Sequence, residues 1–103
     1  RGADVNATDN QGMTALMWAA RGDKAPAIPL LLHAGAGMDA TDAAGMTALM
    51  HAAQAGSIDS VSRLINAGAN ANIKGGEGKT ALRLADDNGH YSIVTLLRSA
   101  GGH

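Results

Sequence analysis

With 103 residues and a net charge of −1, the chain has room for one domain, and its eight scattered Lys and Arg residues disfavour binding to nucleic acid. Its 22 alanines and 14 glycines, with no Phe and one Trp, exclude a thick aromatic core, so stability must come from close backbone contacts such as those of stacked helices. Apolar runs stop well short of the ~20 residues that cross a bilayer, no signal peptide opens the sequence, and the absence of Cys excludes a disulfide framework or a thiolate site.

The sequence repeats itself at a spacing of 33 residues without a shift in register. Three units span 9–41, 42–74 and 75–103, and residues 1–8 are the remnant of a preceding unit. Eight places carry the same residue in all three units, and in the first unit these are Gly12, Thr14, Ala15, Leu16, Ala19, Leu31, Ala34 and Gly35. The local patterns described next make each unit a turn followed by two helices, which predicts an all-α helix-turn-helix solenoid.

Each unit opens with a tight turn. Asp9 and Asp42 stand at the first place of a type I turn, and Gly12 and Gly45 stand at the fourth, where such turns favour these residues. We call the segments 9–12, 42–45 and 75–78 the finger turns, because they are expected to project at the unit boundaries.

A first helix follows each finger turn. Thr14, Thr47 and Thr80 are placed so that each hydroxyl can cap a helix N-terminus. The residues after each Thr are good helix formers whose Leu and Ala recur at helical spacing. We therefore predict three first helices of about two turns each.

A second helix completes each unit. Gly56 suits a left-handed helix end, and Ser57 is expected to cap the following helix, whose inner stripe holds Val61, Leu64 and Ile65. In the first unit, Pro26 and Pro29 stand where this helix should begin. Pro29 is expected to lie one step too deep and to lose a backbone hydrogen bond, so we predict a helix that starts near Pro26 with a distorted first turn.

These segments resemble a known family. The Gly-x-Thr-Ala-Leu-x-x-Ala-Ala runs at 12–20 and 45–53, Asn-Gly-His at 88–90 and Gly-Ala-Asp-Val-Asn-Ala-x-Asp at 2–9 are similar to the ankyrin repeat. The resemblance implies a curved solenoid whose first helices and finger turns line a concave face, with the second helices on the convex back. It also implies a protein-binding role, a structural hydrogen bond for His90 and a cytoplasmic location.

The two ends of the sequence differ in character. Three apolar places become charged in the last unit, at Arg83, Asp86 and Arg98, which is typical of a polar C-terminal capping repeat. At the other end, residues 2–9 close a unit whose helices are absent from the sequence. We therefore expect Leu16 and its neighbours to present an apolar face that favours self-association.

Places that vary between units while their neighbours stay fixed form the candidate binding surface, because recognition needs variable side chains on a constant frame. Trp18, flanked by Met13 and Met46, is the expected anchor, whereas His51 is open either to partner contact or to simple packing. The predicted partner-binding residues are Asn10, Gln11, Met13, Trp18, Arg21, Ala43, Ala44, Met46, His51, Gln54, Glu77, Lys79, Leu84 and Asp87, with Gly76 at the place of Asn10 and Ala43.

The sequence gives less support to a catalytic or ligand-binding site than to a protein-binding surface. Residues 74–80, Lys-Gly-Gly-Glu-Gly-Lys-Thr, match a variant phosphate-binding loop, but no strand-like segment precedes them and the repeat already explains Gly78 and Thr80. Adjacent Asp86 and Asp87 point about 100° apart on a helix, unlike a facing acid/base pair. No serine lies in a Gly-x-Ser-x-Gly elbow. An i, i+4 pair suited to a metal does not occur among His33, His51, His90 and His103.

The sequence therefore predicts a non-catalytic module, without cofactor or metal, that binds a protein partner through its concave face and finger turns. Two alternatives stay open. One is a rigid spacer or regulatory fragment of a larger enzyme, effector or channel, and the other is nucleotide binding through Lys74–Thr80.

Overall fold

The computed structural model describes residues 5–22 and 24–101, and in these ranges the chain contains six helices and no strand. The helices come in pairs that recur at the period of the sequence repeat, which confirms the predicted all-α fold. Their bounds are α1 Ala15–Arg21, α2 Ala27–His33, α3 Ala48–Ala55, α4 Ile58–Asn66, α5 Ala81–Asp87 and α6 Tyr91–Ser99.

The first helices α1, α3 and α5 begin in the same way in every repeat. The hydroxyls of Thr14, Thr47 and Thr80 accept the backbone N–H three residues later, at 3.3, 3.2 and 3.4 Å. All three threonines are buried, so water does not compete for these hydrogen bonds. The predicted caps are confirmed.

The second helices begin without side-chain caps, so the expected capping role of the Ser57 hydroxyl is wrong. In the first repeat, α2 starts directly after Pro26, as predicted, and its start consists of two short turns in which Ala27 and Ile28 donate three residues back. Pro26 already has helical backbone angles, and the Ala25 carbonyl, four residues before Pro29, accepts the Ile28 N–H at 3.0 Å. The expected loss of a hydrogen bond at Pro29 stays a prediction.

The finger turns have the predicted hydrogen bonds. The Asp9 carbonyl accepts the Gly12 N–H at 3.0 Å, and the corresponding bonds in the other two turns measure 2.9 Å. Gly12, Gly45 and Gly78 all have φ near +75°, which only glycine adopts without strain. Neighbouring fingers are also joined through their backbones: Ala43 donates to Gln11 and Gly76 donates to Ala44.

The core lies between the helix pairs and consists largely of small side chains. Ala20, Ala52 and Ala53 are fully buried, so the first helices stack closely with little room between their backbones. Leu16 is also fully buried in this core, so its expected exposure to solvent is wrong. The residues that α1 exposes are Ala15, Trp18 and Arg21.

A ladder of polar side chains joins the loops that follow the second helices. Asn6 accepts the Gly37 N–H at 2.7 Å, and Asp39, one repeat later, accepts the Asn70 N–H at 3.0 Å. Asn72, at the same place in the next repeat, donates to the Gly101 carbonyl at 3.5 Å. Sequence reasoning missed this ladder, although its members stand 33 residues apart.

The charged places of the last repeat are exposed to solvent. Arg83, Asp86 and Arg98 all lie on the surface, whereas Met50 and Ala53, the equivalents of the first two, are buried in the second repeat. The service of these residues as a C-terminal cap stays a prediction. Residues 1–4, Asp23, Gly102 and His103 lie outside the described residues.

Candidate protein-binding groove

A groove of about 510 Å³ runs along the first helices and finger turns, mainly between the second and third repeats. No residue of a second helix contributes to its lining. We call it the concave groove, and it is lined by Arg21, Asp42, Ala44, Met46, His51, Gln54, Ala55, Gly75, Gly76, Glu77, Lys79 and Leu84.

The groove brings together many of the predicted partner-binding residues. Those that line it are Arg21, Ala44, Met46, His51, Gln54, Gly76, Glu77, Lys79 and Leu84. Those that are exposed but lie outside its lining are Asn10, Gln11, Trp18, Ala43 and Asp87. Met13 is only 3% exposed, so its side chain is part of the core and its assignment to the binding surface is wrong.

Sequence reasoning missed three lining residues, Asp42, Ala55 and Gly75. Asp42 was explained as a turn former, which concealed its side-chain contacts. Ala55 stands at a place occupied by Gly22 and Asn88 in the other repeats, so the same criterion of variable places would have found it. Gly75 replaces the aspartate of the first two finger turns, and the sequence predicts only a glycine-rich turn there.

An acid and a histidine meet at one wall of the groove. The Oδ2 atom of Asp42 lies 2.8 Å from Nε2 of His51, and their side chains are 7% and 10% exposed. The other carboxylate oxygen of Asp42 accepts the N–H groups of Ala44 and Met46, each at 2.9 Å. Burial raises the pKa of Asp42, but the hydrogen bonds from Met46, His51 and Ala44 outweigh it and hold the pKa below its ordinary value.

The first repeat has an exposed version of the same contact. Nε1 of Trp18 donates to Oδ2 of Asp9 at 3.2 Å, and the other oxygen of Asp9 accepts the N–H groups of Gln11 and Met13. These hydrogen bonds, that from Met13 first, lower the pKa of Asp9. Trp18 remains 48% exposed, and the guanidinium of Arg21 lies 5.5 Å from the centre of its ring. The indole is therefore tied at its edge and covered on one face.

The third repeat lacks this contact, because Gly75 and Leu84 stand where the other repeats have an aspartate and a ring. Ion pairs of Asp87 take its place. Asp87 lies 2.9 Å from Nζ of Lys79 and 3.0 Å from Nε of Arg83. Hydrogen bonds from Lys79 and then Arg83 lower the pKa of Asp87. The first two repeats thus join the finger turn to the first helix through an aspartate, whereas the third joins Lys79, directly after its finger turn, to α5.

Two of the described histidines, His51 and His90, have structural surroundings. His51 and Leu84 are each 8% exposed, so packing accounts for most of their side-chain surface. Nε2 of His90 lies 3.1 Å from the Gln54 carbonyl, which confirms the structural hydrogen bond that the resemblance implied. His33 is exposed in the last turn of α2. Among the described residues, no group of three His, Asp or Glu side chains is arranged to hold a metal ion.

The glycine-rich segment 74–80 forms the third finger turn. The N–H groups of Gly75 and Gly78 donate within the turn, and that of Gly76 donates to Ala44 of the neighbouring finger, all at 2.9 Å. These groups are therefore engaged by backbone carbonyls, whereas a phosphate-binding loop aims its N–H groups at the ligand. The hydrogen bonds thus favour the simpler interpretation of this segment as a turn.

In the part of the chain that the structure describes, every helix is too short to span a bilayer.

Comparison with known families supports the assignment that the fold suggests. A family described as ankyrin repeats (3 copies) matches residues 22–103. None of the curated proteins compared with the chain matches it significantly. Ankyrin repeats generally act as protein–protein interaction modules and typically have no catalytic role. The repeated Thr-capped helix pairs, the hydrogen-bonded finger turns and the family match agree, and the chain belongs to the ankyrin-repeat family.

Proposed function

We propose that the concave groove binds a segment of a partner protein and that the chain has no catalytic role. The observation that carries this proposal is where the repeats differ. Arg21, Gln54 and Asp87 occupy one place in the three repeats, two residues after an alanine that is the same in all three. Two of these three side chains line the groove. Side chains that vary on a constant frame are what a recognition surface requires.

The lining of the groove suits a protein segment. Met46, Ala55 and Leu84 provide apolar surface, and Met46 can adapt its shape to a partner side chain. Gln54 and Glu77 are exposed beside this surface and supply polar contacts. An apolar centre with a polar rim is the usual composition of a protein interface.

The acid–base pair of the groove supports a non-catalytic role. The side chains of Asp42 and His51 are 7% and 10% exposed and already satisfy one another. A catalytic pair has to reach a substrate, whereas these two groups join a finger turn to a first helix.

Two finer predictions accompany the proposal. Trp18 is a candidate anchor at the first-repeat end, because its indole is half exposed and held in place by Asp9 and Arg21. Self-association through the N-terminal face also stays a prediction, although Leu16, which was expected to form that face, is buried.

The proposal is tested by blocking the groove. Random peptides displayed on phage are selected on the full chain, and their affinity is then measured for the wild type and for Ala55→Trp. This substitution places a large side chain at an exposed position of the groove lining. The matched control is Ala67→Trp, at an exposed alanine in a depression between α2 and α4. We expect Ala55→Trp to weaken binding more than tenfold and the control to leave it unchanged. Peptides that tolerate Ala55→Trp would instead favour a spacer role or another surface.

A further inference from the structure

We infer that the partner segment carries a carboxylate and that Arg21 binds it at the first-repeat end of the concave groove. This inference rests on the proposed function, because it specifies the chemistry of the partner in the same groove.

Arg21 is held in a position suited to bind an anion. It is the last residue of α1, is exposed, and lines the groove. Its guanidinium lies 5.5 Å from the centre of the Trp18 ring, and that ring is fixed by its hydrogen bond to Asp9. A guanidinium that stacks on a ring keeps the N–H groups at its edge free for a carboxylate. Two parallel hydrogen bonds are the usual geometry of such a pair.

The other charged side chains that line the groove already have hydrogen-bond or ion-pair partners. Asp42 is paired with His51 at 2.8 Å, and Lys79 lies 2.9 Å from Asp87 and 3.8 Å from Glu77. Arg21 differs from them. Within residues 5–22 and 24–101, no carboxylate oxygen lies within 4.0 Å of its guanidinium. An acidic group on the partner would complete this charge.

The row of equivalent places gives the bound segment a direction. Arg21, Gln54 and Asp87 follow one another at the repeat spacing, and Asp87 is neutralised by its two basic neighbours. The row itself therefore has a cation at Arg21, a neutral side chain at Gln54 and an ion-paired carboxylate at Asp87. A segment that crosses it places its carboxylate at Arg21 and an apolar side chain over Met46.

The test compares peptides selected from the random library on the full chain and on Arg21→Gln. Lys24→Gln is the control, because it removes an exposed cation outside the groove lining. We expect Asp and Glu to be enriched in peptides selected on the wild type and on the control, and this enrichment to disappear on Arg21→Gln. For one selected peptide, amidation of its acid and the Arg21→Gln change should each weaken binding about five- to tenfold. The two changes together should weaken it no further than either alone.

Two results would overturn the inference, and they differ in what they mean for the groove. The first is a set of peptides that lose binding on Ala55→Trp but show no acidic enrichment, or a peptide for which the two changes have additive effects. Either finding would refute binding of a carboxylate by Arg21 and leave the proposed function intact. Peptides whose binding is indifferent to Ala55→Trp would refute the groove itself and the inference with it.

Discussion

Removal of the Asp42 side chain, which contacts His51, is expected to destabilise the fold strongly. Asp42→Ala removes a carboxylate that is 7% exposed and leaves the part-buried N–H of Met46 and the ring nitrogen of His51 without a partner. Each buried polar group that loses its partner costs about 1–3 kcal/mol. We therefore expect the free energy of unfolding to fall by about 3 kcal/mol, which lowers Tm by on the order of 15 °C in a domain of this size.

Asp9→Ala is the matched control, because Asp9 occupies the same place in the first repeat but is exposed. Asp9→Ala also removes the acceptor of the part-buried Met13 N–H, but water can replace what the carboxylate does for exposed Gln11 and Trp18. We therefore expect a smaller loss of about 1 kcal/mol. The assay is urea unfolding followed by far-ultraviolet circular dichroism. Equal losses in the two variants would show that burial does not set the strength of this contact, and the reasoning would be refuted.

Three further predictions concern stability. Ser60→Ala should raise the free energy of unfolding by about 1 kcal/mol, because the fully buried hydroxyl has no hydrogen-bond partner. A lower urea concentration at the unfolding midpoint than in the wild type would contradict this. Thr47→Ala should lower the free energy of unfolding by about 1–2 kcal/mol through loss of a buried cap, and Thr47→Ser should lower it less; equal losses would exclude the hydroxyl as the cause. The folded state lowers the pKa of Asp42 below 3.8, so its carboxylate stabilises the fold above that pH and stops doing so as the pH falls through the folded pKa. The stability difference between the wild type and Asp42→Asn should therefore shrink from pH 5 to pH 3, and a constant difference would count against the shift.

The elements that sequence reasoning predicted are those set by local constraints. A Thr before a helix and a Gly that needs positive φ have the same consequence in every repeat, so three copies in register were sufficient to place the first helices and finger turns. Ser57 shows the limit of this reasoning. It stands before α4 as a cap should, yet its hydroxyl makes no cap bond.

Burial was harder to predict because it depends on the neighbouring repeat. Leu16 was expected on an open face, but successive helical residues point about 100° apart, and it is Ala15 and Trp18 that face outward. Met13 varies between repeats in the same way as exposed residues do, and the structure nevertheless buries it.

The contacts that shape the groove join residues that the sequence keeps apart. Asp42 and His51 were assigned to a turn and to a helix separately, and their contact requires α3 to pack beneath its finger turn. The contact of Arg21 with the Trp18 ring likewise depends on side-chain orientation, which residue spacing alone does not fix.

The most direct test of the account is to map a selected peptide on the chain by nuclear magnetic resonance. If the partner segment binds in the concave groove, the largest changes in amide chemical shift occur at lining residues, namely Arg21, Met46, Gln54 and Lys79. Largest changes at Leu32, Arg63 and Asn66, in the depression between α2 and α4, would contradict it.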